Sequence, residues 1–248
     1  MEIRRLGAET MPPSLSQSSR WMTLRDFFDE INRALSQFLT PAVKMIFLIN
    51  VGVTIVLIIS GSVAPVATNR VVLEVLAQDP RNSVFGLRIW QFLTYMFVHV
   101  DPMHLIFNML VLWFFGPGLE NRWDSRRFWQ FFLITGVGAG IMHAALALLA
   151  VHQEVAPIIG ASGAIYGVLL AFAIYYPDQT VLLWFVVPVK IKYLVVVLIF
   201  LVFLGTAGSG GGNVSNLTHL TGLLVAYGWM AYHHRDWDFR RWRWRGIR

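Results

Sequence analysis

The chain has 248 residues, 56% of them hydrophobic and 14% charged, with a formal net charge of +6 and no cysteine. So apolar a balance lies outside soluble composition and indicates a polytopic membrane protein. The lack of cysteine excludes a disulfide framework, a thiolate metal site and cysteine catalysis, and basic residues confined to the ends and short loops argue against nucleic-acid binding.

Residues 1–40 are polar and mixed in charge, and Glu2, Arg4 and Arg5 with no early apolar run are unlike a cleaved signal peptide. Trp21, Leu24, Phe27, Phe28, Ile31 and Leu35 form a rough helical stripe over about 20–39. An interfacial helix ahead of the membrane and a solvated arm both fit it. From Met45 to about Pro65 runs a segment long enough to span roughly 30 Å of hydrocarbon. Residues 66–90 read as a loop lying partly in the interface. Further apolar segments follow at about 91–117, 127–151, 158–176, 189–206 and 217–234, making six spans and an all-α membrane bundle. Gly116-Pro117-Gly118 with Glu120-Asn121-Arg122, His152-Gln153-Glu154, Pro177-Asp178-Gln179 and the glycine-rich 205–216 read as separators.

Lysines and arginines fall on alternate sides of these spans very unequally. One side carries those of residues 1–44, Arg122, Arg126, Arg127, Lys190, Lys192 and the arginines of 235–248; the other carries Arg70, Arg81 and Arg88. The positive-inside rule therefore puts both termini in the cytoplasm. Trp237, Trp242 and Trp244 among the arginines suit an interfacial anchor.

The most informative stretch is the small-residue turn from Pro157 to Gly167, which opens an apolar helix at Ser162. A serine there is either a helix cap or a nucleophile. From Ser162 to Asp178 is about 24 Å at 1.5 Å per residue, so the serine lies below the outer surface. His219 is about 21 Å from the cytoplasmic histidine cluster at 233–234. His104 and Asn108 share one helix face, about 24 and 18 Å from the cytoplasmic end when counted from Glu120. Polar groups at membrane depth are costly and mark function by default. These four supply a hydroxyl, an imidazole able to take its proton, and two donors for a developing oxyanion.

Gly163, Gly167 and Ala171 on one helix, and Gly222 and Ala226 beside His219 on another, would let the two helices approach closely. The one carboxylate inside the six segments is Asp101, beside Pro102 at a helix-start position. An aspartyl dyad thus lacks its partner, and without an HExxH sequence zinc hydrolysis lacks its motif. A serine and histidine without an acid remain.

HVDPMHLIFN, GPGLENRW, GASGAIYG and HLTGLLVAYG together resemble the rhomboid family of intramembrane serine proteases, over about 43–234. The resemblance implies a six-helix rhomboid-like bundle with Ser162 as nucleophile and His219 as base. His104, Asn108 and the Ser162 backbone N–H are implied as the oxyanion site, with Tyr166 packed on the catalytic imidazole. Gly160, Gly163 and Gly222 are implied as supporting positions, Glu120 and Arg122 as a structural polar pair, and His99 as structural. Asp124 stands where the family commonly has glycine, a departure that bears on the local loop. His143, His152, His233 and His234 read as structural or interfacial.

The domains expected are a cytoplasmic arm (1–40), a six-span catalytic domain (41–234) and a basic tail (235–248). Transmembrane substrates and the lipid bilayer are the expected partners, with no cofactor, metal or nucleic acid, and a bacterial inner membrane as location. Gly208 to Gly212 is a gate or a linker. The rival reading is a catalytically silent relative that captures membrane helices.

Overall fold

The structure is a computed structural model that describes residues 24–149, 156–183, 186–207 and 214–233. The arginine-rich tail, Trp21, His152, His234 and the Gly208 to Gly212 run lie outside the described residues. The chain divides into two units, Met1–Phe38 and Leu39–Arg248. In the first, α1 (Leu24–Ser36) is strongly amphipathic, with Asp26 in its first turn and Arg33 in its last, charges that suit the helix dipole.

In the second unit, α2 (Pro41–Val63) starts at a proline and ends where Ala64 N–H returns to Ser60 O. A second proline then opens α3 (Pro65–Arg70), followed by a π-helical turn (Val71–Leu76), α4 (Pro80–Val84), α5 (Gln91–Thr94) and a 3₁₀ turn (Tyr95–Phe97). The expected loop over 66–90 is therefore largely helical. Proline at the first helical position and the Asp79 side chain accepting Asn82 N–H nucleate short helices that no long apolar period announces.

The second long helix, α6 (Pro102–Trp123), begins later and ends later than the expected 91–117. Asp101 caps it, accepting N–H groups of Met103 and His104 at 3.0 and 3.2 Å. Gly116-Pro117-Gly118 does not end it. A side chain at Gly116 would run into Val43, and one at Gly118 would lie 2.9 Å from the Phe172 ring, so these glycines serve packing, and packing overrides their helix-breaking tendency. The helix ends at Asp124, and α7 (Ser125–Leu149) follows at once.

A short helix, α8 (Ser162–Tyr175), leads to an antiparallel hairpin of β1 (Thr180–Leu183) and β2 (Val187–Lys190), which the sequence reading lacks. Then come α9 (Ile191–Ala207) and α10 (Val214–His233). Among the described residues three helices, α2, α6 and α7, are long and apolar enough to cross a membrane by length and composition; α8 and α9 are apolar but shorter. α10 has twenty residues and a polar first turn. Apolar side chains stay exposed along α2 (Ile55, Val56, Ile58, Ile59) and α9 (Val196, Val197, Phe200, Leu201). That is the inverse of a soluble surface and the pattern of a protein solvated by lipid.

The centre of the unit is the packing of α7, α8 and α10. Gly163 nestles against Ala139, where a Cβ would lie 3.0 Å from its Cβ, and Gly167 sits similarly against Ala226 and Thr135. A Cβ on Gly222 would strike the carbonyl of Gly163, so glycine here is required by backbone-to-backbone approach. At the far end from Ser162, Trp123, Phe131 and Trp229 pack with ring centroids 4.9–5.4 Å apart.

Candidate active site

Ser162 is the first residue of α8, after a turn through Gly160, whose φ of +103° strongly favours glycine. Gly160 is required twice over, since a Cβ there would also run into the His104 ring. The hydroxyl of Ser162 lies 2.9 Å from Nε2 of His219 on α10. The close approach at Gly163 and Gly222, each near one member of the pair in sequence, brings these side chains together. On α8, Tyr166 stacks on His219 with ring centroids 4.3 Å apart and planes 12° from parallel. Nδ1 of His219 is buried and has no hydrogen-bond partner among the described residues, so the contact the ring makes on this side is its stacking on Tyr166.

The residues of α6 are arranged around His99. Asn108 Nδ2 donates to His99 Nε2 at 2.9 Å, and Ala161 N–H donates to the same nitrogen at 3.3 Å. Two donors on one nitrogen require it to be the unprotonated one. The His104 ring meets His99 edge to face, with centroids 5.0 Å apart. His104 is thus packed beside the turn before Ser162, while one amide hydrogen of Asn108 is committed to His99. His99, which sequence reasoning sets aside as structural, joins α6 to that turn.

Glu120 and Arg122 do not form the expected pair. Two residues apart on a helix, they point in different directions. Glu120, 3% exposed, caps the start of α2. It accepts Ala42 N–H at 2.8 Å, Val43 N–H at 2.9 Å, Ser125 Oγ–H at 2.5 Å and the Thr40 hydroxyl. Arg122 instead lies over the Tyr175 ring, 4.5 Å from its centroid. Asp124 adopts φ +82°, ψ 162°, a conformation natural to glycine, and its carboxylate accepts Arg127 N–H at 2.9 Å to cap α7.

Sequence reasoning missed Gln78 and Tyr95, while His143, read as structural or interfacial, is buried and lies 2.7 Å from Gln78 Oε1. Gln78 exchanges two backbone hydrogen bonds with Ile158. Gln78 carries no sequence signal for this, because an isolated two-residue bridge has no periodicity. Among the described residues no group of three or more His, Cys, Asp or Glu side chains is arranged to hold a metal ion.

A rhomboid-domain family model matches residues 86–235. The mitochondrial rhomboid protein 1 of Saccharomyces cerevisiae is 36% identical over 93 residues, 38% of this chain and 27% of that protein. The rhomboid protease GluP of Bacillus subtilis is 35% identical over 80 residues, 32% of this chain and 14% of the relative. The rhomboid protease GlpG of Salmonella newport is 35% identical over 46 residues, 18% and 17%. The matched stretches thus cover about a quarter of these relatives' lengths or less.

Proposed function

Since the chain belongs to the rhomboid family, we propose that it is an intramembrane serine endopeptidase that cleaves transmembrane segments through a Ser162–His219 dyad. The observation that carries this reading is the 2.9 Å contact between Ser162 Oγ and His219 Nε2 beneath the Tyr166 ring. His219 takes the hydroxyl proton as Oγ attacks a peptide carbonyl carbon, and the charge passes to the carbonyl oxygen. His104, the second amide hydrogen of Asn108 and the Ser162 backbone N–H stabilise that oxygen. Collapse expels the amine, which takes the proton from His219, and leaves an acyl-enzyme; a water, deprotonated by His219, then hydrolyses it.

Six spans complete the proposed architecture, α8, α9 and α10 joining α2, α6 and α7. At about 21 Å, α8 is shorter than the roughly 30 Å hydrocarbon thickness, which supports a depth for Ser162 below the membrane surface. Residues 41–234 form the catalytic domain, preceded by the cytoplasmic arm 1–40 and followed by the basic tail 235–248. Both termini face the cytoplasm and the location is a bacterial inner membrane. Substrates enter from the bilayer, and since a helix hides its carbonyls, cleavage favours segments that unwind at small or helix-breaking residues.

The test is covalent trapping. A fluorophosphonate probe added to the detergent-solubilised protein should phosphonylate Ser162, with labelling lost in Ser162→Ala and strongly reduced in His219→Ala. A wild-type protein that captures transmembrane segments but leaves the probe unreacted would instead support the silent-binding reading.

A further inference from the structure

The four residues leading into Ser162 are held almost entirely from one stretch of the chain. Gln78 and Ile158 exchange backbone hydrogen bonds of 3.0 Å each, Gly160 N–H donates to Tyr95 O at 2.8 Å, and Ala161 N–H donates to His99 Nε2 at 3.3 Å. Two of these three anchors are themselves fastened to α7. Tyr95 Oη–H donates to Gly136 O at 2.7 Å, and Gln78 Oε1 lies 2.7 Å from His143 Nδ1. Positions 136 and 143 are about two turns apart on one face of the helix, so α7 presents a pair of fixed points to the segment preceding the serine.

Gln78 and His143 are both completely buried. A carboxamide oxygen can only accept, so His143 carries its proton on Nδ1. The carboxamide nitrogen of Gln78 donates in turn to Ser83 Oγ, 3.3 Å away, and that hydroxyl lies 3.0 Å from Gln91 Oε1. The polarity is thus set from the imidazole through the carboxamide to Ser83, whose hydroxyl also lies 2.5 Å from Asp79 O. An apolar pair could fill the same space without the desolvation of two polar groups. What the polar pair supplies is direction: the hydrogen bond is satisfied in one register of Gln78 against α7, and Gln78 sets the register of Ile158.

We infer that His143 is a positioning residue for the reaction: through Gln78 it fixes Ile158 and the Gly160–Ala161 turn, and so holds Ser162 in line with His219. The inference rests on the protease reading above.

The experiment compares wild type with His143→Leu, Gln78→Leu, the double variant and His143→Asn in liposomes, using a single-span membrane substrate. Each protein is also followed by its thermal midpoint and by hydrogen exchange of the 156–162 peptide. Either leucine alone strands a buried polar partner and lowers the midpoint; the double variant removes both partners and restores it. In the double variant kcat falls on the order of tenfold with KM unchanged, the loss expected of a sub-ångström misplacement, and exchange of the 156–162 amides quickens. His143→Asn, which offers a side-chain N–H close to the Nδ1 position, recovers most of the rate. A double variant with wild-type kcat and wild-type exchange overturns the inference, as does a rate loss that only tracks the midpoint. If wild type cuts nothing, the protease reading itself fails, and the exchange data still decide whether Gln78 and His143 hold Ile158.

Discussion

Replacing Gly222 by alanine tests how the fold makes the site. A Cβ there would lie 2.9 Å from the carbonyl carbon and 3.1 Å from the Cα of Gly163, and nearer still to the carbonyl oxygen. Backbone cannot rotate aside as a side chain can. Since carbon atoms rest at about 3.5–4.0 Å, α8 and α10 must part by roughly 1 Å at this level. Gly163 is next to Ser162 and Gly222 lies one turn beyond His219, so the 2.9 Å contact between serine and histidine would open to about 3.9 Å, beyond hydrogen-bond range. Overpacking of this kind costs about 1–3 kcal/mol, which a thermal melt in detergent reads as a drop of several degrees. A misplacement of about 1 Å costs on the order of a hundredfold in rate. Gly228→Ala is the control, on the same helix with nothing within 4 Å of the added methyl. Should Gly222→Ala cleave substrate at the wild-type rate, close backbone approach is not what sets the Ser162–His219 distance.

Other expectations follow from the caps and ion pairs. Glu120→Ala strands two backbone N–H groups at the start of α2 and two hydroxyls, and should cost about 3 kcal/mol or more; a thermal midpoint close to wild type would refute that capping role. Asp124→Gly relieves the positive φ and loses the cap to Arg127, leaving stability within about 1 kcal/mol of wild type, whereas Asp124→Ala keeps the strain and loses about 1 kcal/mol of capping. A midpoint higher for alanine than for glycine would contradict this. Lys192 and Lys190, at 2.7 and 3.3 Å, hold the Asp178 carboxyl below the usual carboxylate range. A depressed folded-state pKa gives a stabilising contribution that is complete above the unfolded value and disappears as pH falls through the folded one. Because this group is fully exposed, Asp178→Asn should leave the melt at pH 7 unchanged within error; a drop of several degrees would show the pair is far less screened.

The parts of the site legible in the sequence are those fixed by short local patterns. GASGAIYG places a hydroxyl at a helix start, a small-residue face below it and an aromatic one turn on, and the structure stacks that aromatic on His219. Asp101 before Pro102 reads correctly as a helix start. The misreadings share a cause, in that tertiary contacts overrule local signals. Gly116-Pro117-Gly118 looks like a helix end until Val43 and Phe172 are seen to need the space. The strands Thr180–Leu183 and Val187–Lys190 are four residues each, too short for periodicity to separate from helix. The resemblance pairs Glu120 with Arg122, but Glu120 is held by Thr40, Ala42 and Val43, nearly eighty residues earlier, and by Ser125. At Asp124, where the resemblance implies glycine, the backbone takes a positive φ and the carboxylate caps α7.

The central claim is that Ser162 and His219 together cut peptide bonds within the membrane, and reconstituted cleavage addresses it most directly. A single-span substrate co-reconstituted in liposomes with wild type, Ser162→Ala or His219→Ala should be cut by wild type alone, at one bond in a segment rich in small or helix-breaking residues. Cleavage that survives Ser162→Ala would mean that the nucleophile is another residue and that the Ser162–His219 contact is packing.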